Sequence, residues 1–265
     1  MPSILKLSLN YQHKLIIKKS LIQLAGILAL IAFWQYLADQ LSNMILATPK
    51  QTFSRLAELI MGAEFWQTLQ VSLTRLTIAL SVACLIGSSL GVVAGRKAWV
   101  RDFLAPTRWL LMSIPPVIVV LLAMLWFGMG SSMVIFITVI LLSPTVYVNT
   151  QKNVSKIDKH WLELATIYQF SFYQRLTKIY IPAIAPPLCA TLVIVCCSGV
   201  RIVVLAEVLG SHKGIGYQLA NAGSNFETPE LYAWVLVSLL IVAILELLLL
   251  RPIQYRLLHW QGTVL

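Results

Sequence analysis

The sequence predicts an all-α membrane protein with six transmembrane helices, and two observations carry this prediction. Of its 265 residues, 58% are apolar and only 11% are charged. Six apolar segments come near the length of about 20 residues that a helix needs to cross a bilayer. A soluble fold with six such segments would lack the polar surface that covers a soluble core. We place the spans at roughly 21–41, 76–95, 109–127, 132–149, 184–206 and 232–250.

The basic residues predict the orientation of these spans. The chain has 20 Lys and Arg and a formal net charge of +10. If both termini are cytoplasmic, 15 of the 20 fall on the cytoplasmic side by count from the sequence, as the positive-inside rule requires. Topology then explains the basic charge, and no nucleic-acid partner is needed to account for it.

Residues 1–265 are expected to form a single transmembrane domain. The basic start followed by an apolar run is similar to a secretory signal, but the run is long and no clean cleavage pattern follows it, so we interpret it as an uncleaved first span. The four cysteines lie in apolar runs without CxxC spacing or a nearby histidine. They are expected to pack, and no metal or cofactor is expected.

Two short helices are expected outside the spans, both on the outer face. An amphipathic helix over about 49–62 begins with Thr48 as cap, Pro49 at the first helical position and Gln51 completing a capping box. A second, short or re-entrant helix is expected over 214–222, which is too short to span and too apolar for a plain loop.

The third span contains Pro115 and Pro116. Prolines remove backbone donors and kink a helix, and inside a membrane the freed carbonyls must be satisfied by protein or water. These prolines therefore either line the translocation path or mark a packing kink, and the sequence does not decide between these two interpretations.

The longest loop on the predicted cytoplasmic side carries a spaced signature. Glu163-Leu-Ala165 is followed after three residues by Gln169, and after nine more by Ile179-Tyr-Ile-Pro182. This resembles the EAA signature of bacterial ABC-importer permeases, E-A-A-x3-G-x9-I-x-L-P. Gln169 replaces the glycine, which easily adopts a positive φ in the family's turn. The segments LWFGMG, AEVLG, GIGYQLANAG and RLLHWQG further resemble the nitrate, sulfonate and taurine branch of these permeases.

The resemblance implies a type I ABC importer permease fold in the cytoplasmic (inner) membrane, surrounded by lipid. It implies two permease subunits, two cytoplasmic ATPase subunits and a periplasmic or extracellular solute-binding protein. A homodimer is the simpler expectation because symmetric homo-oligomers dominate. The chain has no G-x4-G-K-[ST] phosphate loop, so we expect a non-enzymatic transport subunit for a small anion such as nitrate, a sulfonate or taurine. A thiamine-precursor-like heterocycle is the alternative solute.

The loop is expected to form a coupling hairpin over about 160–180 that docks on the ATPase. Aromatic residues and Arg are favoured at such interfaces. The candidate coupling residues are Glu163, Ala165, Gln169, Phe170, Phe172, Arg175 and Pro182.

Arg201 and Glu207 are charges at or within the fifth span. A charge there is costly and should face a cavity or a partner, so both join the two prolines as candidates for the path. A salt bridge to another span is the alternative for Arg201. A secondary transporter would show paired broken helices with intramembrane acids, and a membrane enzyme would show clustered catalytic acids or histidines. Neither pattern stands out.

Overall fold

The computed structural model describes residues 2–42 and 44–250, and every regular element in these ranges is helical. Short π-helical turns, Leu176–Tyr180 and Leu245–Leu250, precede α9 and follow α11. The α-helices are α1 (Pro2–Gln40), α2 (Pro49–Met61), α3 (Ala63–Arg96), α4 (Ala98–Ser113), α5 (Pro116–Phe127), α6 (Ser131–Ser155), α7 (Lys159–Ile167), α8 (Phe172–Arg175), α9 (Ile181–Gly210), α10 (Ile215–Ser224) and α11 (Thr228–Ile244).

The predicted membrane class is confirmed by the length and composition of these helices. Within the described residues, five helical segments are long and apolar enough to cross a bilayer, and α4 with α5 adds a sixth if the bent pair counts as one span. The five are Leu21–Gln40, Ala63–Arg96, Ser131–Ser155, Tyr173–Gly210 and Thr228–Leu247.

The span expected over 109–127, with a kink at its prolines, consists of two separate helices, α4 and α5. α4 and α5 meet at an angle of 99°. The break follows from the two prolines: Ile114 is extended, with φ −69° and ψ 127°, as a residue before proline prefers, and Pro115 has no N–H to continue the helix. With 12 residues, α5 is about 18 Å long and cannot cross the bilayer alone.

The closest helix packing joins α3 to α6. Gly87, Gly91 and Gly95 recur at every fourth residue of α3 and lie against α6. A Cβ at Gly91 would lie only 2.7 Å from Cβ of Thr150 and 2.9 Å from the backbone oxygen of Tyr147. Small residues at this spacing let two membrane helices approach closely, so α3 and α6 form the centre of the bundle.

The capping box expected at the start of α2 is present. The Thr48 hydroxyl accepts a hydrogen bond from the Gln51 N–H at 3.3 Å, and Gln51 Oε1 accepts one from the Thr48 N–H at 3.0 Å. From α2, Arg55 reaches Glu230 of α11 at 2.7 Å. This hydrogen bond raises the pKa of Arg55, and the pair holds α2 against the last span.

The two ends of the bundle are built differently. At one end, called the hairpin end, α6 and α9 are joined by α7 and α8. At the opposite end, called the α10 end, α9 leads through a tight turn into α10. The short helix expected over 214–222 corresponds to α10, Ile215–Ser224.

Candidate functional site

The α7–α8 hairpin begins at a capped helix. The Asp158 carboxylate accepts a hydrogen bond from the His160 N–H at 3.0 Å and lies 2.9 Å from His160 Nδ1. The backbone hydrogen bond is the main reason that the pKa of Asp158 lies below its usual value. From this start, α7 carries Glu163 exposed and Ala165 buried. Of these two positions of the EAA-like signature, Glu163 therefore faces solvent and Ala165 faces the hairpin interior.

The turn after α7 keeps the geometry of a glycine turn although its residue is glutamine. Gln169 has φ +50°, in the left-handed region. Its N–H bonds to the Thr166 oxygen at 3.1 Å, and the Phe170 N–H bonds to the Ala165 oxygen at 2.9 Å. These two bonds form a Schellman motif, which usually has glycine at this position. Gln169 preserves the turn at the conformational cost of a left-handed residue with a side chain.

Arg175 and Phe170 hold the hairpin together from inside. Arg175 Nε donates to the Phe170 oxygen at 3.2 Å, and Nη2 lies 3.5 Å from the Ala165 oxygen. Lys178 Nζ lies 5.7 Å from the centroid of the Phe170 ring, a cation–π distance. Arg175 therefore satisfies carbonyls at the end of α7, where a basic side chain is favoured.

Other aromatic and apolar residues of the hairpin are exposed. Trp161 is 62% exposed, and Ile167, Tyr168 and Tyr173 are each 73% exposed. Trp161, Ile167 and Tyr168 are not predicted from the sequence to belong to this surface, because periodicity alone does not tell which face of so short a helix lacks a neighbour. Pro182 is exposed in the first turn of α9.

Phe172 was also predicted to belong to this surface. Its backbone lies in α8, and its side chain falls outside the described residues.

We expect Gln169→Gly to stabilise the hairpin. The left-handed conformation costs a side-chain residue about 1–2 kcal/mol, and the greater freedom of glycine in the unfolded chain offsets about 0.5–1 kcal/mol of the gain. Slower amide exchange across residues 159–180 would show the effect. The control is Gln70→Gly, at an exposed position inside α3, which should destabilise its helix by about 1 kcal/mol. Faster exchange in the hairpin of Gln169→Gly would contradict the prediction.

The broken span has two adjacent prolines at the corner between α4 and α5. Pro115 and Pro116 are exposed, and none of the sixteen residues of α4 is buried. In the single chain, this corner is therefore uncovered, and a lipid, a solute or another subunit could contact it.

Arg201 is exposed on the surface of α9. It lies nine residues before Gly210, the end of the helix, which corresponds to about 14 Å along the axis. It makes no hydrogen bond or ion pair with any residue that the structure describes. The salt bridge considered for Arg201 is thus not found within the described part of the chain.

Glu207 lies in different surroundings. Its side chain is 0% exposed, and Oε1 lies 2.7 Å from Nη1 of Arg75, whose side chain is 6% exposed. The Ser72 hydroxyl lies 2.9 and 2.8 Å from the two carboxylate oxygens. The structure does not bring Glu207 together with Arg201, and it pairs Glu207 with Arg75, which is not among the residues predicted from the sequence to be functional.

Arg75 also binds the turn between α9 and α10. Its Nη1 donates to Ser211 Oγ at 3.0 Å and to the backbone oxygen of Lys213 at 2.7 Å, and its Nε donates to Ser131 Oγ at 3.0 Å. Ser131 is the first residue of α6. One guanidinium therefore joins α3, α6 and α9 at the α10 end.

A similar structure is found in a chain of the MetNI methionine ABC transporter, solved in an inward facing conformation. The TM-score is 0.63 at 14% identity, and the match covers 77% of this chain and 98% of that chain. This likeness confirms the permease fold expected from the EAA-like signature.

Relatives in sequence agree with this fold. The taurine transport system permease protein TauC of Escherichia coli (strain K12) is 30% identical over 241 residues, 89% of this chain and 87% of its own length. The bicarbonate transport system permease protein CmpB of Synechococcus elongatus (strain ATCC 33912 / PCC 7942 / FACHB-805) is 28% identical over 215 residues, 76% of this chain and 77% of its own length.

The family model described as binding-protein-dependent transport system inner membrane component matches residues 83–259. This range includes the α7–α8 hairpin, Arg201 and Glu207. The chain therefore belongs to the family of binding-protein-dependent transport system inner membrane components, the permease subunits of ABC importers.

Proposed function

We propose that this chain, paired with a second copy of itself, forms the transmembrane path of an importer for a small anion in the cytoplasmic membrane. Separate ATPase subunits supply the energy at the hairpin end, and a solute-binding protein delivers the anion at the α10 end. The name of the relative that refers to bicarbonate, a net anion, supports the anionic class, and the taurine named for the other relative shares with it a negatively charged group.

The exposed surface of the α7–α8 hairpin supports ATPase docking and is the observation that carries the proposal. The hairpin connects two spans, so it lies outside the bilayer, where an apolar patch needs a protein partner. Its exposed Trp161, Tyr168 and Tyr173 are of the type that dominates interface energetics. Because the hairpin is continuous with α6 and α9, movement of the docked partner would be transmitted to both spans.

Two ATPase subunits and two permease copies follow from a symmetric arrangement. In that arrangement the hairpin end faces the cytoplasm, as the distribution of basic residues predicts. The chain then acts as a transport subunit without a catalytic site of its own.

The exposure of Arg201 supports an anion as the solute. A guanidinium deep in a span is too costly to leave in lipid, so it should face water or a partner. A second copy placed over this face of α9 would enclose Arg201 beside a water-filled path. A positive charge in a low-dielectric wall attracts anions strongly.

We expect Arg201→Gln to lower uptake of a small alkanesulfonate, which carries a net negative charge, by about tenfold or more, since a charge buried beside the path contributes more than one kcal/mol. Uptake is measured in proteoliposomes that contain the permease, its ATPase subunits and its binding protein, and is normalised to assembled complex. Arg201→Lys should retain part of the uptake, because the charge stays and the planar donor group is lost.

The same assay distinguishes the other candidate functions. Full uptake by a well-assembled Arg201→Gln complex would contradict the anionic path and favour a neutral heterocycle as solute. Uptake that needs an ion gradient and no ATPase subunit would instead indicate a secondary transporter.

A further inference from the structure

The polar cluster around Arg75 and Glu207 has no role in the path or in ATPase docking as described above. It is buried, it contains both charges of an ion pair, and it lies where α9 turns into α10. We propose that Arg75 and Glu207 are positioning residues that fix α10 to the ends of α3, α6 and α9, so that these four elements move as one body during transport. The link to transport rests on the proposed function.

The carboxylate of Glu207 is held by groups from two directions. Arg75 and Ser72 bind it from α3. From the other side, the Gly216 N–H donates to Glu207 Oε2 at 3.0 Å, and the Ile215 N–H donates to Ser72 Oγ at 2.9 Å. The first two N–H groups of α10 are therefore bound, and such groups have no partner within their own helix. Glu207, nine residues before Gly216, and Ser72, 143 residues before Ile215, thus cap α10 together.

The glycines of the turn are needed because the carboxylate fills the space beside them. Gly214 has φ +109°, and a Cβ there would collide with the carboxylate of Glu207. A Cβ at Gly216 would collide with the Val204 backbone oxygen and lie 2.6 Å from Cβ of Glu207. The turn and the buried acid thus fit each other closely, so α10 cannot shift relative to α9 without breaking the cluster.

An exposed contact repeats the connection at the surface. Gln218 Nε2 donates to Glu64 Oε1 at 3.1 Å, which joins the second turn of α10 to the first turn of α3. The buried cluster and this contact lie on the same two helices, so α10 is attached to α3 at two points.

The proposal is first tested by removing both charges. In Arg75→Met/Glu207→Leu, the buried ion pair is replaced by apolar side chains, a change that proteins often tolerate without loss of stability. We expect amide exchange over residues 211–224 to become about tenfold faster or more, while exchange in the centres of α3 and α6 stays unchanged. Unchanged protection of 211–224 would overturn the proposal, whether or not transport has been established.

The second test joins α10 to α3 covalently and does not depend on the folding of the double variant. Cysteines replace Glu64 and Gln218 in a chain whose four native cysteines are changed to alanine, and a short bifunctional thiol reagent links them. If α3 and α10 move together, the linked complex should keep at least about half of its ATP-driven taurine uptake, because the link restrains a distance that does not change. Loss of uptake after linking, with normal uptake in the unlinked and singly labelled controls, would overturn the proposal.

The parent complex is assayed first. A parent without ATP-driven uptake counts against the proposed function, and the exchange measurement still decides the role of the pair. With an active parent, a stable Arg75→Met/Glu207→Leu complex should transport about tenfold less, since α10 is no longer fixed. Normal uptake by that complex would show that the pair contributes only to packing.

Discussion

Gly91→Leu should lower the stability of the purified chain by about 3 kcal/mol, a value at the upper end for overpacking. A Cβ at Gly91 would lie 2.9 Å from the backbone oxygen of Tyr147, and a backbone atom inside a helix cannot move aside as a side-chain end can. The larger side chain would separate α3 from α6. The midpoint of thermal unfolding in detergent measures the effect.

Gly26→Leu is the matched control for this change. Gly26 lies within α1, and nothing lies within 4 Å of the position of its Cβ. The same substitution there should leave the unfolding midpoint nearly unchanged. Equal destabilisation by both variants would mean that loss of glycine, and not the close contact of α3 with α6, causes the effect.

Glu163→Lys should leave insertion and abundance normal and lower solute-stimulated ATP turnover by about tenfold or more, because a like-charge contact at an interface costs several kcal/mol. Glu163 is exposed on α7 beside the apolar surface of the hairpin, so its replacement should not disturb the chain itself. Stimulated ATP hydrolysis by the reconstituted complex is the measurement.

The control is Glu58→Lys, which makes the same change of charge on exposed α2. Glu58 is 61% exposed and pairs with Arg55, and such surface pairs contribute little to stability. Near-normal turnover is expected for this variant. If Glu163→Lys also assembles and turns over normally, the docking role of Glu163 is wrong.

Local patterns predicted much of the fold. The apolar runs indicated the spans, and Thr48, Pro49 and Gln51 indicated the start of α2, because caps depend on residues only three positions apart. The prolines at 115 and 116 predicted a kink in the helix of the third span. The angle of 99° between α4 and α5 was not predictable, since it depends on how each leg packs against α3, α6 and α9.

In the hairpin, the spacing of the whole motif is more informative than the identity of the single residue at position 169. The register of Glu163, Ala165 and Pro182 predicted the hairpin although Gln169 replaces glycine. The structure keeps the left-handed turn with glutamine, because hydrogen bonds at the end of α7 and the contacts of Arg175 hold it. Propensity alone would have argued against this turn.

By itself, the sequence determined the membrane class, the approximate spans and the family, because these depend on composition and on the spacing of residues along the chain. Only the tertiary structure decided which of Arg201 and Glu207 is buried. The two residues are six positions apart, about 240° around a helix, so they must lie on different faces, but helical phase does not tell which face meets a neighbour. Arg75 lies 132 residues before Glu207 and binds it, so the face of α9 that carries Glu207 is buried. Arg201 is left exposed on another face of α9.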